Sequence, residues 1–297
     1  MSVHTSVLLY ESIDGLDIHE GDIYLDGTLG SAGHAKYALE KVKGKLTLIG
    51  LDRDQDALAR SREILGTGKN IILKQGSYGE LDTVLDDLNI PHVNRIMLDL
   101  GISSDQFETS GRGFTFKKDE PLLMTMAKHP EPDDLTAKYI LNNWEESTLA
   151  DIIYGYGEER YARRIARGIM NYRQKKTIET TFELVEIVNQ SVPGIYRRGR
   201  LHPATRTFQA LRITINDELN TLKAGLKKGF ERLEKKGRMA VISFHSLEDR
   251  IVKHFYIAHK AAGTANIITK KPIESGEEEI QRNARSRSAK LRILEKI

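Results

Sequence analysis

The chain contains no cysteine. Disulfides, thiolate zinc sites, iron–sulfur clusters and cysteine nucleophiles are excluded, and a reducing cytoplasm is the expected location. Long apolar runs are also missing. Nothing approaches the ~18 residues of a membrane-spanning helix, so no membrane partner is expected. The opening residues, MSVHTSVLLYESIDGLD, lack a basic stretch and carry Glu11 and Asp14 early, unlike a signal peptide. HExxH and GxSxG are absent as well, so neither a zinc protease nor an α/β-hydrolase is indicated, and no metal site is expected. What remains is 297 residues with 39% apolar and 29% charged side chains, a globular composition and not a disordered one. That length suits one large domain, or one domain carrying an insert.

The first hundred residues alternate short apolar runs with amphipathic segments. Strands are predicted at Asp22–Asp26, Leu46–Leu51, Asn70–Lys74 and Val93–Leu100. Helices are predicted between them, at Gly33–Val42, Asp54–Leu65 and Glu80–Leu88. This rhythm implies parallel βαβ units with both sheet faces covered. From about Gln106 to Pro203 the strands stop. Helices are expected at Asp134–Asn142, Glu145–Tyr154, Arg160–Tyr172 and Thr181–Asn189, the last with a Thr180/Glu183 capping box. A long amphipathic helix follows through Phe208, Leu211, Ile215, Leu219 and Leu222, then a strand at Arg238–Phe244, a helix at Leu247–His259 and strands at Ala265–Thr269 and Leu291–Leu294. Ser275–Glu279 reads as a solvated loop. The domain expectation is therefore residues 1–106 and 205–297 for an α/β sheet domain and 107–204 for a helical insert.

Chemistry enters at LDGTLGSAGH, Leu25–His34, between the first strand and the first helix. Gly27, Gly30 and Gly33 let backbone approach a ligand, and the helix start offers a positive dipole end. The pattern is not GxGxxG. Asp52 ends the second strand, where one carboxylate can accept from both hydroxyls of a ribose. Asp54 is the better N-cap for the helix that follows. Asp99 ends the fourth strand, so Asp26, Asp52 and Asp99 are expected on one rim. A nicotinamide dinucleotide and S-adenosylmethionine (AdoMet) both fit a glycine turn with a strand-end acid. Three acids suit a cationic sulfonium–amine better than an anionic pyrophosphate.

At this point the sequence resembles the bacterial 16S rRNA cytosine-N4 methyltransferases, the RsmH (formerly MraW) family. The matching segments include LDGTLGSAGH, LIGLDRD, LDLGISSDQF, GRGFTF, YGEERYARRIA, HPATRTFQALRITINDEL, ISFHSLEDRIVKHF and RSRSAKLRILEKI, in order across essentially the whole chain. The resemblance implies a Rossmann-like class I AdoMet-dependent methyltransferase sheet with an inserted all-helical domain. It implies N4-methylation of a cytidine in 16S rRNA near the decoding centre, with the small ribosomal subunit as partner. It also implies cofactor contacts from Ala32, Gly33, His34, Asp52, Tyr78 near the adenine, and Asp99 and Gln106 near the methionine end. Asp99 is the first candidate to accept the hydrogens of the attacking amine. Three positions depart from the family: Ala32 stands where a glycine is usual, and PLLMTM replaces PLDMRM, giving Leu123 and Thr125. These departures keep a non-catalytic or altered-specificity RNA-binding paralogue open beside a nicotinamide-dependent reductase.

The basic residues are grouped. Between Tyr156 and Lys176, Arg160, Arg163, Arg164, Arg167, Arg173, Lys175 and Lys176 face only Glu158 and Glu159. Arg197, Arg198, Arg200, Arg206 and Arg212 follow with no acid among them, and the tail adds Arg282, Arg285, Arg287, Lys290 and Arg292. Such stripes in a chain of net charge +3 favour phosphate contacts, with Arg160, Arg164, Arg167, Arg197, Arg198 and Arg200 as the RNA-binding candidates. His245, after a strand, is expected to shape the pocket rim. Ser103 and Ser104 are expected as loop hydrogen-bonders, and His4 as structural. The assembly state, including a homodimer, is not fixed by the sequence.

Overall fold

The computed structural model describes residues 6–102, 107, 110–126 and 134–297. Gln106, Ser103, Ser104 and His4 lie outside them. By contact the chain divides into a unit of residues 1–101 and 219–297 and a unit of residues 102–218.

The first unit opens with α1 (Leu9–Leu16), then β1 (Ile23–Asp26), α2 (Gly33–Lys41), β2 (Thr47–Asp52), α3 (Gln55–Leu65), β3 (Ile71–Gln75), a 3₁₀ turn Tyr78–Glu80, α4 (Leu81–Asp87) and β4 (Val93–Asp99). After the second unit it resumes and contributes β5 (Leu233–Ser243), a helix at Ser246–Ala261, β6 (Ala265–Ile267), a helix at Glu277–Arg282, a 3₁₀ turn Ala284–Ser288 and β7 (Lys290–Lys296). The sheet order is β3-β2-β1-β4-β5-β7-β6. Strands β3, β2, β1, β4 and β5 are mutually parallel, and β7 runs antiparallel between β5 and β6. Strand order reverses between β1 and β4, the place where open α/β sheets hold ligands beyond the strands' carboxyl ends.

Period-two alternation explains why both faces are dry. Tyr24, Leu48, Met97 and Ile242 point to one face, with Ile13 and Leu16 of α1 and Ala35 and Ala38 of α2. Leu25, Ile49, Ile96, Leu98 and Val241 point to the other, with Leu81 and Leu85 of α4 and Leu222, Leu226 and Phe230. A Leu→Ala change at a site as enclosed as Leu98 (0% exposed) costs roughly 2–5 kcal/mol.

The second unit holds α5 (Ala137–Asn143), α6 (Glu146–Gly155), α7 (Ala162–Arg173), α8 (Thr181–Ser191), the short α9 (Gly194–Arg197) and α10 (Thr205–Asn216). The Thr180/Glu183 capping box is present at the start of α8. Leu141, Leu149, Ile153, Ile165, Ile169, Leu184 and Val188 form its core, and Phe208 and Leu211 of α10 belong to that same core. For this reason α10 groups with the helices, whereas the sequence places a boundary at 204.

The single helix expected through Phe208 and Leu222 is two. Asp217 adopts φ 47° and ends α10, and α11 (Glu218–Arg232) starts on the next residue. The expected loop at Ser275–Glu279 gives way to α13 (Glu277–Arg282), once the Ser246–Ala261 helix is counted as α12. Three glutamates in its first turn match the positive end of its dipole. No helix among the described residues is long and apolar enough to cross a membrane.

Candidate functional site

The carboxyl ends of β1, β2 and β4 carry Asp26, Asp52 and Asp99. Asp26 is 2% exposed; its Oδ1 accepts the Thr28 N–H at 3.1 Å and its Oδ2 lies 3.4 Å from the Tyr24 hydroxyl. Asp52 accepts the Gly30 N–H at 2.9 Å through Oδ2 and the Asp54 N–H at 2.8 Å through Oδ1. It therefore braces the glycine turn in the ligand-free protein. Asp54 is the N-cap of α3, with its Oδ1 2.9 Å from the Asp56 N–H, as its position in the sequence implies.

Asp99 is the odd one. Its backbone N–H donates to Thr28 Oγ1 at 2.6 Å, but its Oδ1 is sealed from solvent with no hydrogen-bond partner among the described residues. Burial pushes its carboxyl up to about 7; Arg285 opposes the rise and Asp26 adds to it. Asp26 is likewise pushed up to about 7 by burial, against the Thr28 and Tyr24 hydrogen bonds and with a contribution from Asp52. Burial raises Asp52 too, opposed by the N–H groups of Asp54 and Gly30. Three acids that burial makes reluctant to ionise form a rim that gains from a cationic ligand and repels an anionic one.

The turn between β1 and α2 is built by close approach. A Cβ on Gly27 would sit 2.6 Å from Leu98 Cδ2 and 2.9 Å from Tyr78 Cβ. A Cβ on Gly33 would overlap the Ser6 hydroxyl. Ala32, the N-cap of α2, adopts φ 59°, ψ 19° and is fully buried. It therefore keeps the left-handed backbone that glycine takes without strain. His34 is buried, its Nε2 3.1 Å from the Val7 carbonyl. Tyr78 lies in the 3₁₀ turn after β3, beside Gly27, and its ring packs against Gly225 of α11, where a Cβ would meet Cδ2 at 2.5 Å.

Sequence reasoning missed two contributors to this rim. Thr28 links Asp26 to Asp99 through its N–H and its hydroxyl. Arg285 arrives because β7 is antiparallel: Lys290 pairs with Ser243 at the carboxyl end of β5, so the 3₁₀ turn before it lies at the same rim as Asp99. His245 is chiefly a helix cap, forming a capping box with Glu248.

In the helical unit, Arg160, expected inside the helix Arg160–Tyr172, precedes α7. Its guanidinium covers the Tyr161 and Tyr196 rings at 4.9 and 5.1 Å, and Arg164 covers Tyr161 at 5.8 Å. Arg167 pairs with Glu146 at 3.4 Å on the exposed side of α7. Arg197, Arg198 and Arg200 are exposed around α9. Two other basic residues are spent on structure: Arg212 grips Glu218 with two hydrogen bonds, 2.8 and 2.9 Å, and Arg292 grips Asp249 at 2.7 and 3.2 Å.

The loop that departs from the family is held from two sides. The buried Arg112 donates to the Thr125 and Met126 carbonyls at 3.0 and 2.5 Å. Asn216 accepts from the Met126 N–H and donates to the Met124 carbonyl, each at 2.9 Å. Thr125 is 6% exposed and Met124 has φ 57°.

The description "MraW methylase family" matches residues 1–297. A ribosomal RNA small subunit methyltransferase H from Clostridium botulinum is 43% identical over 309 residues, spanning 99% of each chain. A protein of the same name from Lachnospira eligens is 42% identical over 310 residues, spanning 99% of this chain and 98% of its own. Among solved structures, an rRNA methylase from Streptococcus thermophilus aligns over 98% of each chain at 12% identity with a TM-score of 0.46, a loose likeness. Neither a nicotinamide-dependent reductase nor a non-catalytic paralogue is favoured by these matches. The acid rim beside a glycine turn and the full-length match agree: the chain belongs to the MraW methylase family and is an AdoMet-dependent methyltransferase.

Proposed function

We propose that the enzyme methylates the exocyclic N4 of a cytidine in 16S rRNA, near the decoding centre of the small ribosomal subunit, in the cytoplasm. The observation that carries this reading is Asp99, an enclosed carboxylate with an unpartnered Oδ1 at the end of β4, next to the turn that Thr28 anchors. When bound, AdoMet supplies an electrophilic methyl group on a sulfonium. Asp52 would accept from its ribose hydroxyls, Tyr78 would cover its adenine, and the backbone of Ala32, Gly33 and His34 would line the turn that holds it.

The cytosine amine is a weak nucleophile because its lone pair is delocalised into the ring. Transfer to it would need an in-line approach to the methyl carbon, with the carbon–sulfur electron pair left on sulfur, and an acceptor for the proton the amine sheds. Asp99 can take two roles: acceptor for that amine hydrogen, or anchor for the cofactor's own ammonium. An unpaired cytidine reaches such a pocket without the cost of opening a duplex.

The test is transfer of labelled methyl from AdoMet to small subunits purified from a strain lacking the modification, followed by nucleoside mass spectrometry. The product expected is N4-methylcytidine. Label at another atom, or none, overturns the reading. With Asp99→Ala, lost turnover at unchanged AdoMet affinity assigns the amine role, and lost affinity rescued by saturating AdoMet assigns the anchor role. Sedimentation of the same samples reports whether a monomer or a homodimer binds the particle.

A further inference from the structure

We propose that Arg160, laid across Tyr161 and Tyr196, is a stacking plane for an unpaired base of the RNA, with Arg164 and the α9 arginines holding the flanking phosphates. This deepens the rRNA reading above and rests on it.

The two basic segments that the sequence presents separately meet at these rings. Tyr161 and Tyr196 pack edge to face, centroids 5.0 Å apart and planes at 74°. A fully buried carboxylate ties the two residues together: Glu159 accepts the Tyr161 backbone N–H at 2.8 Å through Oε1 and the Tyr196 hydroxyl at 2.5 Å through Oε2. The exposed Arg160 puts its Cζ within about 5 Å of both ring centroids. An exposed guanidinium held 4.9 and 5.1 Å from two ring centroids can offer its plane to another flat π system and its donors to phosphate. Its neighbourhood suits a base better than a duplex backbone alone. Ile195 beside Tyr196 is 81% exposed and Leu201 is 51% exposed, apolar surface that bulk water does not reward. Arg164, 5.8 Å from the Tyr161 centroid, and Arg197, Arg198 and Arg200, which follow Tyr196 in the chain, are all exposed and add positive charge. Aromatic and guanidinium planes ringed by cations are the means by which proteins hold single-stranded RNA.

The discriminating variant is Arg160→Lys, which keeps the charge and removes the plane. Binding of a fluorescent single-stranded oligocytidine and of an RNA duplex would be measured by anisotropy over a range of salt, with melting curves confirming that the variant folds. Arg160→Lys should bind the single strand about tenfold more weakly, the scale of one lost stack, with an unchanged salt slope and unchanged duplex affinity. Arg160→Ala should lose the same stack and also flatten the slope by about one unit. If Arg160→Lys binds the single strand as the wild type does, the stacking assignment is overturned while the rRNA reading survives. If the wild-type protein binds neither probe and does not methylate the subunit, the rRNA reading itself has failed.

Discussion

Thr28 should matter to AdoMet binding without touching AdoMet. Its hydroxyl is the acceptor for the Asp99 N–H at 2.6 Å, and its own N–H feeds Asp26 at 3.1 Å. Thr28→Val preserves shape and the bond to Asp26 but leaves the Asp99 N–H without its acceptor. An unsatisfied donor costs about 1–3 kcal/mol when buried, and this part-buried one falls toward the lower part of that range, up to about 2 kcal/mol. For a chain of 297 residues, about 2 kcal/mol lowers Tm by roughly 3 °C. The strand end can escape the penalty only by shifting Asp99, so AdoMet affinity should fall with the melting temperature. Thr28→Ser retains the oxygen and should recover both. Calorimetric titration and scanning fluorimetry on the three proteins suffice. If Thr28→Val melts and binds as the wild type, the 2.6 Å contact does not position Asp99, and the linkage argued for Thr28 is wrong.

Three other expectations follow from the same rim. Asp52→Ala should weaken AdoMet by about 2–3 kcal/mol, the scale of hydrogen bonds to a charged group, and should also lower the melting temperature of the ligand-free protein because Gly30 and Asp54 lose their acceptor; calorimetry showing undiminished affinity removes Asp52 from the site. Ala32→Gly should change stability by less than about 1 kcal/mol: relief of a left-handed alanine, worth ~1–2 kcal/mol, is offset by a freer unfolded chain and a lost buried methyl, together of similar size. Ala32→Val should cost far more, and equal denaturation midpoints for the two variants would contradict that account. For pH, Asp26 and Asp99 hold their protons up to about 7 when folded and only to about 4 when unfolded. The folded state binds more protons across that window, so ligand-free stability should fall as pH rises through it, whereas affinity for cationic AdoMet should rise as the carboxyls ionise; urea midpoints and titrations between about pH 5 and 8 check both signs.

Much of this site could be read from the sequence because its parts are local. A strand that ends in an acid and a turn with a glycine at every third position are features of single segments, and Asp26, Asp52, Asp99 and Gly27 lie where those segments put them. Tyr78 was legible for the same reason, as the ring that follows β3. What escaped depends on distant segments or on residues whose signal is ambiguous. Asp217 is one case: the apolar spacing of Phe208, Leu211, Ile215, Leu219 and Leu222 runs across it without interruption, yet its φ of 47° divides the helix. Aspartate tolerates that conformation better than most residues, but spacing alone does not announce it. The glutamates of Ser275–Glu279 are another, since acidic residues mark both a solvated loop and the first turn of a helix. Glu279 shows which applies: its Oε1 accepts the Leu8 N–H at 2.8 Å, a tie between the two ends of the chain.

Charge counting failed for a related reason. Arg285 and Arg292 stand in one basic tail, and no local pattern separates them. The pairing of β7 does. Val241 opposite Arg292 sets that side chain beside α12, where Asp249 neutralises it, whereas the turn before Lys290 carries Arg285 to the rim that holds Asp99. A basic residue thus belongs to an interface, a structural ion pair or an active-site rim according to the register of a strand, and register is set by the whole sheet. The same logic governs Arg160 and Arg167. Both stand in the stretch that reads as a phosphate-binding stripe, yet one lies on two tyrosines fixed by a buried glutamate and the other faces Glu146. Equal in charge and close in sequence, they should differ in their effect on RNA binding because only Arg160 has an aromatic surface beneath it.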